Sequence, residues 1–201
     1  MIDKPDIERF AGAILKMERQ RRHEAGSESD LAALVMETLR GRVWHTTSSD
    51  RYKGILSAGV ILPEPPIPDS DRWGSGLGTI GCSYVRSIGG VSLFDFRDFD
   101  SEEYSKNYPV STWREFVPYR SVWGEAIWIE IDISEVMPAF TSGSELLARW
   151  KAEQASNRFM PLIEAAHIGA LPLGAFRQVL KVSRESRELP LFPDGLSQIV
   201  G

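Results

Sequence analysis

Cysteine is almost absent from this chain, since Cys82 is the single one among 201 residues. One cysteine excludes an internal disulfide and any metal site built from several cysteines. Histidine is nearly as scarce, and His23, His45 and His167 lie far apart, without the spacing of zinc ligands. The sequence therefore predicts no metal site, and a lone thiol fits a reducing cytoplasm.

Long apolar runs are also missing, because none approaches the roughly 20 residues that a membrane span needs. The first residues have neither the basic nor the apolar stretch of a secretory signal. The formal net charge is −5, so no global positive field attracts nucleic acid. A hydrophobic content of 42% fits a globular domain with a real core. We expect a cytoplasmic protein that does not interact with membranes.

The most informative stretch is Val43-Trp44-His45-Thr46-Thr47-Ser48-Ser49, an apolar run that ends in a histidine and four hydroxyl residues. It predicts a strand over 42–46 and a helix over 49–58 that Gly59 closes. A strand end with an imidazole, followed by the free N–H groups of a helix N-terminus, can hold a polar ligand. The alternative is an ordinary strand, a serine cap and a surface histidine.

Periodicity predicts the remaining elements. Two helices, over 6–24 and after the cap at 27–30, form an N-terminal helical extension over 1–40. The rest, 41–201, is expected to be one compact unit. It contains strands at 90–96, 126–133, 159–167 and 177–182, a helix at 142–154 and a Pro/Gly-rich loop at 62–78. The aromatic segment 97–124 has no long period and is more typical of core than of a substrate platform.

The segment Gly76–Gly81 matches the dinucleotide pattern G-x-G-x-x-G. No strand precedes it, and Gly89-Gly90 follows too soon to leave room for the helix that binds pyrophosphate. A Rossmann fold is therefore not predicted.

A second informative stretch contains Glu164, the one carboxylate in the apolar run 159–168. An acid in such a run costs free energy unless it faces a cleft or has a partner. The alternative is an outward-pointing residue on a half-exposed strand.

These stretches together resemble the ADP-ribosyltransferase fold, in which a first-strand His, a second-strand aromatic or hydroxyl residue and a late Glu form the site. Three phrases are similar to DarT-like DNA ADP-ribosyltransferase toxins: His45-Thr46-Thr47, Ile55-Leu56-Ser57-Ala58-Gly59-Val60, and Glu164 followed by His167-Ile168-Gly169-Ala170-Leu171-Pro172. The resemblance spans about 42–183. It implies an α+β fold with a split β-sandwich core of two small mixed sheets.

The resemblance implies NAD as co-substrate, with Glu164 and His45 as catalytic residues. His45 would orient NAD through the adenosine ribose, and Thr46 or Thr47 would meet its nicotinamide side. Other residues implied to contact NAD are an aromatic ring (Phe94 or Tyr84), the hydroxyl residue Ser92 and a pyrophosphate-binding arginine (Arg72 or Arg86). Leu162, two residues before Glu164, differs from the Gln or Glu of arginine-directed enzymes, so arginine modification is not predicted.

The implied function is a toxin that ADP-ribosylates nucleic acid or protein, with an antitoxin protein as a possible partner. Cations near the motif segments could form a local basic channel or a solvated face: Arg114, Arg120, Arg149, Lys151, Arg158 and Arg177. Two alternatives remain open: an NAD-dependent RNA 2′-phosphotransferase, and a catalytically inactive NAD-binding or interaction module of the same fold.

Overall fold

The computed structural model describes residues 30–68, 82–120, 122–183 and 191–192. The predicted helix over 6–24, the Gly76–Gly81 pattern and Arg72 lie outside these residues.

Most of the described strands belong to one sheet. The strands are β1 Val43–Thr47, β2 Val60–Ile61, β3 Gly90–Asp95, β4 Glu125–Ile131, β5 Phe140–Thr141, β6 Glu164–Ile168, β7 Leu171–Pro172, β8 Phe176–Ser183 and β9 Leu191–Phe192. Seven of them form an antiparallel sheet in the order β5-β6-β3-β1-β4-β8-β9, and β2 pairs with β7 in a separate antiparallel ribbon.

The predicted α+β class is confirmed, whereas the division into sheets differs from the expected two small mixed sheets. The physical reason is β4, whose alternating residues pair along the strand with β1 on one side and β8 on the other. This central strand joins both halves into one sheet.

Five helices are described: α1 over 30–39, α2 Ser49–Ala58, α3 Tyr84–Ser87, α4 Ser101–Asn107 and α5 Gly143–Ala152. The Ser48 hydroxyl caps α2 by accepting from the N–H of Arg51, and Gly59 ends this helix at φ +74°. Helix α5 begins with a capping box between Ser142 and Glu145. These local signals fix where both helices start.

Both faces of the sheet are covered. On β4, Ala126 and Trp128 pack into one cluster with α1, while Ile127 and Ile129 pack into a second cluster with Tyr52 of α2. Such alternation is what a strand buried on two sides requires. The aromatic segment lies in the first cluster, which confirms its predicted core role; its buried rings are Phe99, Tyr104, Trp113 and Phe116.

Candidate active site

The first and second motif strands are paired only at one end. The ladder between β1 and β3 comprises Val43↔Asp95 and Trp44↔Phe94, whereas β1 pairs with β4 as far as Thr47↔Ile127. Trp44 secures the paired end, because its ring is buried and its Nε1–H donates to the carbonyl of Leu39 at 2.9 Å. Beyond Trp44 the pairing between these two strands stops, and we call this unpaired stretch of β1 and β3, from His45 onward, the gap.

His45 occupies the start of this gap. Its Nδ1 lies 3.0 Å from the carbonyl oxygen of Ser92 on β3. A carbonyl only accepts, so Nδ1 carries the hydrogen. Burial lowers the pKa of His45, although the bond to Ser92 acts in the opposite direction. The ring is therefore neutral near pH 7, and Nε2 is left as a hydrogen-bond acceptor.

Glu164 lies on β6, the strand on the other side of β3, and is 1% exposed. The Ser92 hydroxyl donates to its Oε1 at 2.8 Å, and the Met160 N–H donates to its Oε2 at 2.9 Å. Ser92 thus connects His45, through its carbonyl, to Glu164, through its hydroxyl. Residues that are 47 and 72 positions apart in sequence become one hydrogen-bonded chain.

A tight turn before β6 brings the Met160 N–H to the Glu164 carboxylate. Leu162 has φ +66°, a left-handed conformation that side chains rarely adopt, and Glu164 N–H donates to the carbonyl of Met160 at 2.9 Å. Gly143 permits this turn, because a Cβ on Gly143 would lie 1.6 Å from the Leu162 oxygen. The start of α5 is therefore part of the support for Glu164.

Burial raises the pKa of Glu164 to about 7, even though the Met160 N–H and the Ser92 hydroxyl both favour the charged form. Desolvation dominates because no cation lies among the described partners of this carboxylate. A carboxylate that titrates near neutral pH can accept and release a proton during a reaction.

Strand alternation distinguishes the two threonines of the motif. Trp44, Phe94 and Glu164 pair directly across β1, β3 and β6, so they share one face, and Thr46 lies on that face two residues from Trp44. The side chain of Thr47, the next residue, lies on the opposite face of β1, and Thr47 pairs with Ile127 of β4. The Thr46 Oγ1 is fully buried and, within the described part of the chain, has no hydrogen-bond partner. An unsatisfied buried hydroxyl beside the gap suits a polar ligand.

The two aromatic candidates lie in packed clusters. Phe94 is 4% exposed, and its ring centroid lies 5.5, 5.2 and 5.3 Å from those of Phe96, Phe116 and Trp128. Tyr84 is 1% exposed, and its hydroxyl donates to Glu153 at 2.6 Å. A nicotinamide ring would have to displace a neighbour to stack on either one. Their role in stacking stays a prediction.

The structure describes one of the two arginine candidates. Arg86 pairs with both carboxylate oxygens of Glu64, at 2.5 and 3.1 Å, which fixes it to the loop after β2. Arg72 is outside the described residues. For both arginines, the predicted contact with pyrophosphate stays a prediction.

Sequence reasoning missed Met160 and Tyr104. Met160 acts through its backbone N–H, which any residue type supplies, so no sequence signal marks it. Burial raises the pKa of Tyr104 to about 12, and the charge of Glu164 contributes to that rise. Tyr104 therefore lies within electrostatic range of Glu164, on a helix that the Asp100-Ser101-Glu102-Glu103 pattern could have indicated.

A cavity of about 500 Å³ adjoins the turn before Glu164. Leu162, Ile163 and Tyr104 line it together with four carboxylate residues, Asp95, Asp98, Asp100 and Glu103. Glu164 itself is not among the lining residues. Over the described ranges, no group of three or more His, Cys, Asp or Glu side chains is arranged to hold a metal ion. No helix in the same ranges has the length and apolar character to cross a membrane.

Comparison of the sequence with models of known protein families and with curated proteins gave no match.

Proposed function

We propose that this protein is an NAD-dependent mono-ADP-ribosyltransferase. The observation that supports the proposal most is the hydrogen-bonded chain from His45 through Ser92 to the buried Glu164. The three residues come from three neighbouring strands, in the order β1, β3, β6, and each has the type that the resemblance implies for its strand.

Glu164 would perform the central chemistry. Breaking the bond between C1′ of the ribose and nicotinamide develops an oxocarbenium-like charge, as glycoside cleavage does, and nicotinamide leaves with the bonding electron pair. The Glu164 carboxylate stabilises that charge and accepts the proton of the acceptor as its nucleophilic atom bonds to C1′. Ser92 and Met160 hold both oxygens, so the carboxylate needs little reorganisation.

His45 and Thr46 would orient NAD. A neutral His45 with Nε2 unprotonated accepts a hydrogen bond from a ribose hydroxyl. The buried Thr46 hydroxyl gains in the complex the partner that it lacks among the described residues. The fit of the site to NAD therefore rests on two polar atoms that have no hydrogen-bond partner among the described residues, His45 Nε2 and Thr46 Oγ1, whose side chains start from opposite faces of β1.

The acceptor would be a nucleic acid or a protein, and the protein would act in the cytoplasm as a toxin with an antitoxin as possible partner. Arg149 and Trp150, which could have faced a nucleic-acid acceptor, are already engaged: Arg149 pairs with Glu153 at 2.8 Å, and the Trp150 ring stacks on Phe159. These contacts leave both acceptor classes for experiment to decide.

The test is transfer of label from biotinylated or radiolabelled NAD to DNA, RNA and lysate proteins, with the wild type and Glu164→Ala. We expect label on one acceptor class, lost in the variant. No label on any acceptor, together with no NAD binding in calorimetry, would reject the proposal. Label that persists in Glu164→Ala would reject the assigned role of Glu164.

A further inference from the structure

A second cavity, of about 820 Å³, lies between α1 and the segment that follows α4. Its volume is within the range of about 300–1,000 Å³ typical of small-ligand sites. Three arginines line it, Arg40, Arg114 and Arg120, together with Glu37 and Glu115. The lining side chains therefore have one more positive than negative charge.

These arginines differ from others in the molecule in what they contact. Elsewhere, five arginines pair with carboxylates at 2.5 to 3.6 Å: Arg42, Arg86, Arg97, Arg149 and Arg177. Arg40, Arg114 and Arg120 form no ion pair with any carboxylate of the described chain. Three guanidinium groups without a carboxylate partner beside one cavity favour an anionic ligand.

Arg120 has the clearest need of an anion. Its guanidinium lies over the rings of Phe116 and Trp123, at 5.8 and 5.9 Å from their centroids. Burial lowers the pKa of Arg120, and the nearby Glu115 charge opposes that shift only in part. A guanidinium that has lost water without gaining a contacting carboxylate bears a desolvation cost that a phosphate would offset.

Aromatic side chains form another part of the wall. Trp113 and Tyr119 line the cavity, and the guanidinium of Arg114 lies over the Trp113 ring at 5.2 Å while donating to the Ser105 hydroxyl at 3.0 Å. Planar cations and aromatic rings at one site are suited to a phosphate joined to a planar base.

We propose that this cavity binds a nucleotide, with the phosphate between Arg40, Arg114 and Arg120 and the base against the half-buried Tyr119. The site is separate from the gap at His45 and is independent of the proposed transferase activity. The nucleotide is either free or part of a single strand of nucleic acid, and the chemistry of recognition is the same for both.

The test is fluorescence anisotropy with a fluorescein-labelled short single-stranded oligonucleotide, with unlabelled AMP or unlabelled oligonucleotide as competitor. Arg120→Gln and Arg114→Gln should each weaken oligonucleotide binding about tenfold. Each should also lower the slope of log K against log salt concentration, because one cation near the phosphate is lost. Arg177→Gln is the charge-matched control, since Arg177 pairs with Asp132, and should change affinity by no more than about twofold. Thermal unfolding checks that each variant folds. If Arg120→Gln does not fold, Arg114→Gln provides the test, because the Arg114 side chain is exposed.

The competitors distinguish the two forms of the ligand. Displacement by AMP supports a free nucleotide, and displacement only by oligonucleotide supports a nucleic-acid segment. Absence of oligonucleotide binding, together with absence of AMP binding in calorimetry, would overturn the proposal, as would equal losses in Arg177→Gln and Arg120→Gln. His45→Ala and Glu164→Gln should bind the oligonucleotide as the wild type does. Loss of binding in these two variants would place the nucleotide in the gap at His45 and overturn the second site.

Discussion

Two buried carboxylates lie in one row across the sheet and have different surroundings. The row runs Glu130, Trp44, Phe94, Glu164 through direct pairs on β4, β1, β3 and β6. Glu130 is neutralised by Arg42 at 3.2 Å and accepts a further bond from Gln178. Glu164 has a hydroxyl and an N–H as partners instead. A buried acid with a cation is typical of structure, and a buried acid held only by neutral donors is typical of a reactive group.

The sharpest contrast between these carboxylates is expected in activity. Glu164→Gln should lower label transfer from NAD by about 10²–10⁴-fold, because a neutral amide neither stabilises the oxocarbenium charge nor accepts a proton. Glu130→Gln, the matched control, should stay within a few-fold of wild type. Label-transfer rates under single-turnover conditions measure both variants. Equal losses of rate would mean that Glu164 and Glu130 do not differ in catalytic role.

A second contrast concerns stability and pH. Glu164 keeps its proton in the folded protein up to about pH 7, whereas the unfolded chain releases it near 4.5. The folded state therefore binds more protons between these values, and its stability falls as pH rises through them, by about 3 kcal/mol from this group. Glu164→Gln should remove that fall, since the amide can still bond Ser92 and Met160. Urea unfolding of both proteins at pH 5 and pH 8 measures this fall in stability. If the variant loses as much stability as the wild type, the fall does not come from Glu164.

Arg42 sharpens the comparison from the structural side. Arg42→Gln leaves Glu130, which is 7% exposed, without its cation. Since Arg42 itself is nearly half exposed, we expect a loss of only about 1 kcal/mol. Arg177→Gln breaks a more exposed and longer pair with Asp132 and should cost less stability than Arg42→Gln. Chemical denaturation at low ionic strength measures the free energy of unfolding of both variants. A larger loss in Arg177→Gln than in Arg42→Gln would contradict the structural role of the Arg42–Glu130 pair.

The smallest expected effect tests Thr46. Thr46→Val removes a buried hydroxyl without a described partner, so the free protein should become more stable by up to about 1 kcal/mol. If the hydroxyl meets NAD, the same change should raise KM for NAD several-fold. Thr47→Val, on the opposite face of β1, tests the other threonine, and a rise in KM for Thr47→Val alone would assign the NAD contact to Thr47. A less stable Thr46→Val protein with unchanged KM would mean that the hydroxyl serves the fold.

The elements with clear local signals were predicted correctly from sequence. Helix α2 begins after Ser48 and ends at Gly59, as its cap and glycine indicate, and β4 lies where the alternation is strictest. The strand predicted over 159–167 begins only at Glu164, because Pro161 and the left-handed Leu162 form a turn. Helix α4 was missed, since its 7 residues make fewer than two turns and are too short to show a period.

The candidate site was predictable only in part. His45 and Glu164 have residue types that are unusual for apolar strands, and they are visible in sequence for that reason. The sequence does not mark Met160, because its backbone N–H is what donates to Glu164. Phe94 has the residue type of a stacking ring, and only the structure shows that three aromatic neighbours surround it. Backbone donors and the packing of rings depend on tertiary structure, which periodicity does not report.

The separation of β1 from β3 after Trp44 has a consequence for how this protein can be divided. The groups at the gap come from early, middle and late strands, so only a fragment that spans at least 45–164 contains them all. A chain cut between α4 and β4 should give two inert halves, one with His45 and Ser92 and the other with Glu164. Mixing the halves should restore label transfer only when β3 and β6 pair again, which makes fragment complementation a direct assay of sheet assembly.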